Sequence, residues 1–144
     1  MNEVRNMDSI TITLKAMPVN ESFARSLIAA YASRENPTIN VISDIKTAIS
    51  EAVTNAIIHG YNGDQEQDIY IKASIKEKVL RVSVSDRGTG IPNIIEAMND
   101  FYTTRPSEER SGLGFTIMGS FMDTLEVNSN LGEGTTITMT KKLA

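Results

Sequence analysis

Glu51 and Asn55 stand four residues apart in the run Ser50-Glu51-Ala52-Val53-Thr54-Asn55-Ala56-Ile57-Ile58-His59-Gly60. On a helix that spacing stacks the two side chains on one face. Small residues, Ala48 and Ala52, flank them and leave room for something to approach. One candidate is a metal-phosphate group, because a carboxylate can accept a proton and an amide oxygen can hold a hard cation. A solvated polar pair reads the same when taken alone.

Three further pieces follow downstream. Asp86-Arg87-Gly88-Thr89-Gly90 puts a carboxylate where a strand ends. An ionised Asp accepts hydrogen bonds only, so it suits an exocyclic amine such as adenine N6. Gly88 and Gly90 let backbone come close to a flat ring and supply positive φ. An Asx-type turn closing a strand is the plain alternative. Gly112-Leu113-Gly114 opens an apolar helix, and free amide groups at such a terminus attract anions. Arg110 can add charge on a γ-phosphate. A loop-to-helix joint has the same look. Thr135 follows Gly134 at the start of the last strand, where a threonine also serves as an ordinary strand former.

The elements that must position these residues are read from periodicity. Ile10, Ile12 and Leu14 alternate with Thr11, Thr13 and Lys15, a half-buried strand over residues 9–17. A helix over 21–34 follows, capped by Asn20, with Phe23, Leu27, Ile28 and Tyr31 as its apolar face. Arg25, Ser22, Ser26 and Ala29 lie opposite. A second helix runs over 39–59 behind Thr38 as cap, with Ile42, Ile45, Ile49, Val53 and Ile57 facing the core and Gly60 as its C′ residue. Residues 61–66 read as a polar loop. Two alternating strands joined at Glu77-Lys78 end at Asp86, and a short helix spans 91–98. Residues 99–111 lack periodicity and read as a mobile loop. A helix from Phe115 and two strands over 124–129 and 135–142 complete the chain. This order predicts an α+β two-layer sandwich, a mostly antiparallel mixed sheet with helices on one face.

Composition narrows the function. The 144 residues, 40% of them hydrophobic and 22% charged, suit one soluble domain spanning 1–144. The net charge is −4 with no basic cluster, which argues against direct nucleic-acid binding. Absence of cysteine removes disulfides and thiolate chemistry and fits a reducing compartment. No apolar run reaches the roughly 18 residues of a membrane helix, and no signal peptide precedes the first strand. The expected location is the cytoplasm. The single histidine, His59, has no second His or any Cys with which to build a transition-metal site.

E-x-x-x-N on a helix, D-x-G-x-G after a strand, a long loop, G-x-G opening a helix and G-T on a strand come in a definite order. In that order the chain resembles the GHKL superfamily, the ATP-binding fold of the gyrase, histidine-kinase and MutL type. Residues 50–61 and the run Glu109-Arg110-Ser111-Gly112-Leu113-Gly114-Phe115-Thr116-Ile117-Met118 look like its branch of bacterial anti-sigma serine kinases. The resemblance spans nearly the whole chain. It implies binding of ATP with Mg2+ under a lid at 99–111, with ADP as product. It also implies inhibition of a sporulation sigma factor of the sigma-F type, and phosphorylation of a serine on an anti-anti-sigma protein. Glu51 then falls on the catalytic base and Asn55 on the magnesium ligand. Asp86 falls on the adenine-reading carboxylate, and Gly88 and Gly90 on the turn beside the purine. Arg110, Gly112 and Gly114 fall on lid and phosphate contacts, Thr135 on a residue near adenine, and Arg25 on an arginine shared by both protein partners. A homodimer through the edge near residues 9–17 is implied too. Arg105 stands where a lysine is usual, and the two cations hold phosphate differently. A general-stress kinase with another sigma factor, and a nucleotide-gated module without transfer, are the alternatives. A proton acceptor at Glu51 is of little use to the latter. The chain carries neither G-x-x-x-x-G-K-[ST] nor an H-R-D loop.

Overall fold

A computed structural model describes residues 8–91 and 114–144. Its five strands are β1 (Asp8–Lys15), β2 (Asp68–Lys76), β3 (Val79–Asp86), β4 (Thr124–Asn130) and β5 (Gly134–Lys142). They lie in the order β1-β2-β3-β5-β4, and each neighbouring pair is antiparallel. The α+β sandwich is as expected, but the sheet is wholly antiparallel among the described residues and not mixed. Among the described residues three α-helices, α1 (Val19–Ala32), α2 (Ile39–Asn55) and α3 (Phe115–Phe121), accompany it.

Strand alternation sorts the sheet into two faces. Ile69, Ile71, Leu80, Val82, Val84, Ile137 and Met139 turn inward and share one core with Ile45, Ile49 and Val53 of α2. Each such buried aliphatic side chain contributes about 1.5–3 kcal/mol. The other face carries Lys72, Ser74, Arg81, Ser83, Thr138 and Thr140, which line a broad open surface. The helices therefore cover one side, and the site must form at an end of the sheet or among the helices.

Thr38 caps α2 as its sequence predicts, its hydroxyl accepting from Val41 N–H at 3.2 Å. Beyond Asn55 the helix widens into a π turn, Ala56–Gly60, with Tyr61 N–H donating to the Ala56 carbonyl at 2.9 Å. The last turn is thus not α-helical, and Gly60 has no positive φ. Gly60 is therefore the last residue of the π turn and not a C′ glycine.

α1 is rotated from its expected orientation. Ala24, Ile28, Ala29, Tyr31 and Ala32 are buried, whereas Phe23 is 54% exposed. Three alanines on the inner face let α1 pack closely on α2, and alanine carries too little hydrophobic signal to mark a face. Asn20 is not the cap: the N-cap position is Pro18, and Asn20 Nδ2 donates back to the Lys15 carbonyl at 2.9 Å.

The β2–β3 hairpin turns on Glu77 and Lys78, both left-handed with φ of 53° and 63°. Tight hairpins favour this geometry, yet glycine or asparagine usually supplies it. Lys78→Gly is expected to stabilise the fold by about 0.5–1 kcal/mol. A urea midpoint that stays put or falls would contradict this.

Candidate nucleotide and phosphoryl-transfer site

The π turn sets the geometry of the site. It carries Gly60 to the end of β3, where a Cβ on Gly60 would lie 2.6 Å from Asp86 Cγ. The carboxylate occupies that space, so glycine is required for close approach and not for its backbone freedom. Asp86 is 8% exposed. Its carboxylate accepts from Gly88 N–H at 2.9 Å and also from the backbone amide of Thr135, its cross-strand partner. Burial pushes the Asp86 carboxyl above the ordinary aspartate range, against the opposing pull of those two amides.

The D-x-G-x-G turn is held from three sides. Thr89 N–H donates to the Gly60 carbonyl at 3.0 Å, and Gly132 N–H to the Thr89 carbonyl at 2.7 Å. Tyr61 Oη accepts from Arg87 N–H at 2.7 Å and donates to the Asp68 carbonyl at 2.6 Å. The bare Cα of Gly88 lies against the Gly60 carbonyl, and that of Gly90, at φ +78°, against Asn130. The sequence reading had these two glycines making room for a ring. They make room first for protein backbone, although Gly90 does line the cleft.

Asn55, His59, Gly60, Asp86, Gly90, Ile91 and Thr135 surround one narrow cleft. Three of the polar residues expected at the site, Asn55, Asp86 and Thr135, thus meet from three separate parts of the chain. Each is buried. Thr135 Oγ1 bonds Ser129 Oγ at 2.8 Å, and Ser129 Oγ also accepts from Ile91 N–H at 2.7 Å. Asn55 is 6% exposed, and among the described residues its Oδ1 has no hydrogen-bond partner. A buried carbonyl oxygen left unpaired costs about 1–3 kcal/mol. It fits a hard cation, which takes neutral oxygen ligands.

Glu51 lies one helical turn before Asn55 and forms a second cluster. Gly114 stands at the start of α3 with φ +79°, and a Cβ there would come within 2.5 Å of Glu51 Oε1. The structure therefore brings Glu51 against the last glycine of the G-x-G run. Arg25 lies next to this cluster and is less free than its sequence reading had it. It pairs with Glu21 at 3.3 Å, with 40% of its side chain exposed, and its Nη1 donates to Ser50 Oγ at 3.2 Å. Ser50 Oγ in turn donates to Glu21. Arg110, Gly112, Arg105, the lid at 99–111 and all but the first residue of the 91–98 helix lie outside the described residues.

Sequence reasoning missed Gly60, Tyr61 and Ser129. Tyr61 was assigned to a polar loop, yet it is buried and ties β2 to the Asp86 turn. An aromatic residue directly after a helix end is a signal for packing that could have found it. Ser129 offers no local signal for its bond from Ile91 N–H, which spans 38 residues.

Residues 14–141 match the model of the histidine kinase-like ATPase domain family. A protein of Clostridium beijerinckii named anti-sigma F factor is 47% identical over 135 residues, 94% of this chain and 94% of that protein. One of Bacillus thuringiensis with the same name is 47% identical over 137 residues, 95% of this chain and 94% of its own. Among solved structures, the RsbU and RsbW domains of a Mycobacterium tuberculosis protein align with a TM-score of 0.67 at 24% identity, covering 94% of this chain and 32% of that one. The catalytic domain of histidine kinase ThkA aligns at 0.59 and 15% identity, covering 93% and 98%. At those identities the likeness is one of fold.

Proposed function

Because this chain belongs to the histidine kinase-like ATPase domain family, among proteins named anti-sigma F factor, we propose that it is an anti-sigma factor and an ATP-dependent serine kinase. It holds a sporulation sigma factor of the sigma-F type inactive, and it phosphorylates a serine of an anti-anti-sigma protein. The observation that carries the reading is the placement of Glu51. It stands against Gly114 on one side and, one turn on, is followed by the unpaired buried oxygen of Asn55.

The roles follow from the chemistry of each group. Asp86 accepts from the adenine amine, with Thr135, Gly88 and Gly90 shaping the cleft around the base. Asn55 Oδ1 holds Mg2+. That ion, when bound, neutralises phosphate charge, and it needs few protein ligands because it keeps waters and phosphate oxygens. Gly114, with Arg110 and Gly112, serves the phosphates. Glu51 accepts the proton of the acceptor serine as its Oγ bonds to the γ-phosphorus. The bond from that phosphorus to the β–γ bridging oxygen breaks, and ADP leaves. Phosphoryl transfer asks mainly for positioning and charge neutralisation, so this set is sufficient.

The homodimer belongs to the same reading. β1 is an edge strand of the sheet, and an unpaired edge is a template for a second chain. Among the described residues no helix is long and apolar enough to cross a membrane. The proposed place of work is the cytoplasm, where transcription occurs.

Arg25 is assigned to partner docking. Arg25→Ala is expected to weaken binding of both sigma factor and anti-anti-sigma protein by about tenfold or more. ATP affinity should stay within about twofold, since Arg25 lies outside the cleft. Titration of each partner and of ATP checks this. Equal losses in partner and nucleotide affinity would remove the docking assignment, and failure to bind any sigma factor would remove the anti-sigma reading itself.

A further inference from the structure

β5 ends on the helical side of the sheet. Ile137 and Met139 point into the core, and strand alternation sends Lys141, two residues on, the same way. A lysine on an inner face is kept there only by partners. Its Nζ donates to the Phe121 carbonyl at 2.6 Å and to Asp44 Oδ2 at 3.2 Å, and the Lys141 and Asp44 side chains are 13% and 30% exposed. Phe121 is the last residue of α3, and Asp44 belongs to α2. One cation thus joins the last strand, the C-terminal end of α3 and the flank of α2. A cation at that end also suits the helix dipole. Asp123 adds to the joint: its N–H donates to the Thr140 carbonyl at 2.9 Å, and its Oδ2 accepts from Lys142 N–H at 2.6 Å.

The other end of α3 carries Gly114 against Glu51. Glu51 lies seven residues after Asp44, two turns of α2. The two side chains therefore point the same way within about 20°, and they stand about 10.5 Å apart along the axis. Gly114 and Phe121 are seven residues apart as well. α3 thus runs antiparallel along α2, pinned at two points whose spacings match. Ala48 and Met118, between the pins, are both fully buried. An apolar seam resists separation of two helices better than it resists sliding, whereas a charged, hydrogen-bonded pair has one best geometry. α3 has only seven residues, too few to hold its shape unaided, so its position is set by what grips it.

We infer that Lys141 is a positioning residue for phosphoryl transfer: held on Asp44 and the Phe121 carbonyl, it fixes the register of α3 along α2 and so sets Gly114 against Glu51. This rests on the kinase reading above and adds to it a residue remote from the cleft. The Lys141 pin lies two turns of α2 from Glu51 and acts on it through α3. A slip of α3 by part of a turn withdraws Gly114 and leaves the Glu51 carboxylate without its fixed neighbour. Misplacing a reacting group by about 1 Å costs about a hundredfold in rate. The cleft of Asn55, Asp86 and Thr135 contains no residue of α3, so the base and metal side of the site is left in place.

The test uses the full chain, magnesium-ATP and a purified anti-anti-sigma protein that the wild-type chain labels. Lys141→Met keeps the stem and removes the donor. It is expected to lower kcat about ten- to hundredfold, with ATP affinity and KM for the partner within about threefold. Lys141→Arg, whose guanidinium has donors for both acceptors, should keep at least about a third of the wild-type rate. The decisive arm is made in Glu51→Gln. Because Lys141 acts through Glu51, Lys141→Met should lower the residual rate of that variant by no more than about twofold. A merely structural lysine would cost the same factor in both backgrounds. A distance readout is independent of the chemistry. The chain has no cysteine, so spin labels at Lys46→Cys and Ser120→Cys, both exposed positions, report α3 against α2. Lys141→Met should shift or broaden that distance. Wild-type kcat in Lys141→Met, equal losses in the two backgrounds, or an unchanged distance would each overturn the inference. Should Lys141→Met not fold, Asp44→Ala removes the other half of the pin and is read by the same measurements. Absence of transfer by the wild-type chain despite ATP binding would sink the kinase reading and the positioning role with it. Transfer by the wild type that Lys141→Met leaves unchanged would sink the positioning role alone.

Discussion

Glu51→Gln is expected to bind magnesium-ATP as the parent does and to transfer phosphate about 10²–10⁴-fold more slowly. Glutamine keeps the shape that fits against Gly114, so the bare Cα there still has its neighbour. It has no basic oxygen with which to take the serine proton. Asn55 and Asp86, which face the cleft, are untouched. Removing a negative charge beside a polyphosphate gives no reason for binding to weaken. Transfer at the parent rate would place the proton acceptor elsewhere. Loss of ATP affinity in step with activity would make Glu51 a binding residue.

Asp86→Asn separates recognition from stability. The asparagine carbonyl is claimed by Gly88 N–H, as the carboxylate oxygen is now. Its NH2 then faces the adenine amine, donor against donor. A site built for a hydrogen bond and left mismatched loses at least about a hundredfold in affinity. Stability moves the other way. The folded-state pKa of Asp86 is raised by burial, so its charged form is penalised in the folded protein. Folding stability is then fullest below the unfolded pKa of an aspartate and falls as pH rises through the raised folded value. The neutral amide removes that loss. The thermal midpoint of the variant should equal or exceed the parent's at pH 7, with the difference vanishing in acid. A lower midpoint at pH 7 would show that the carboxylate stabilises the fold and is not merely tolerated for the sake of the ligand.

Much of the site was legible because its parts are local. E-x-x-x-N needs only helical spacing to place two side chains together, and Thr38 and the isoleucine stripe fixed that helix without tertiary help. The end of β3 at Asp86 followed from strict alternation in both strands of the hairpin. Thr135 reached the cleft through strand pairing with Asp86, which the order of strands implied but no local pattern could register. What escaped was non-local or carried by small residues. The alanine-lined face of α1 concealed which side is buried. Gly60 looked like a helix stop, and its reason lies 26 residues on, in the Asp86 carboxylate. Tyr61 and Ser129 are placed by backbone groups that follow β3, the N–H of Arg87 and the N–H of Ile91.

The central claim is a kinase whose proton acceptor is Glu51, and one assay addresses it directly. Parent and Glu51→Gln chains are given γ-labelled magnesium-ATP and a candidate anti-anti-sigma protein, and the label is traced to a residue. The account predicts label on one partner serine with the parent and at least about a hundredfold less with the variant, at equal ATP occupancy. No label on the partner despite full ATP binding by the parent would contradict it and leave a nucleotide-gated binding module.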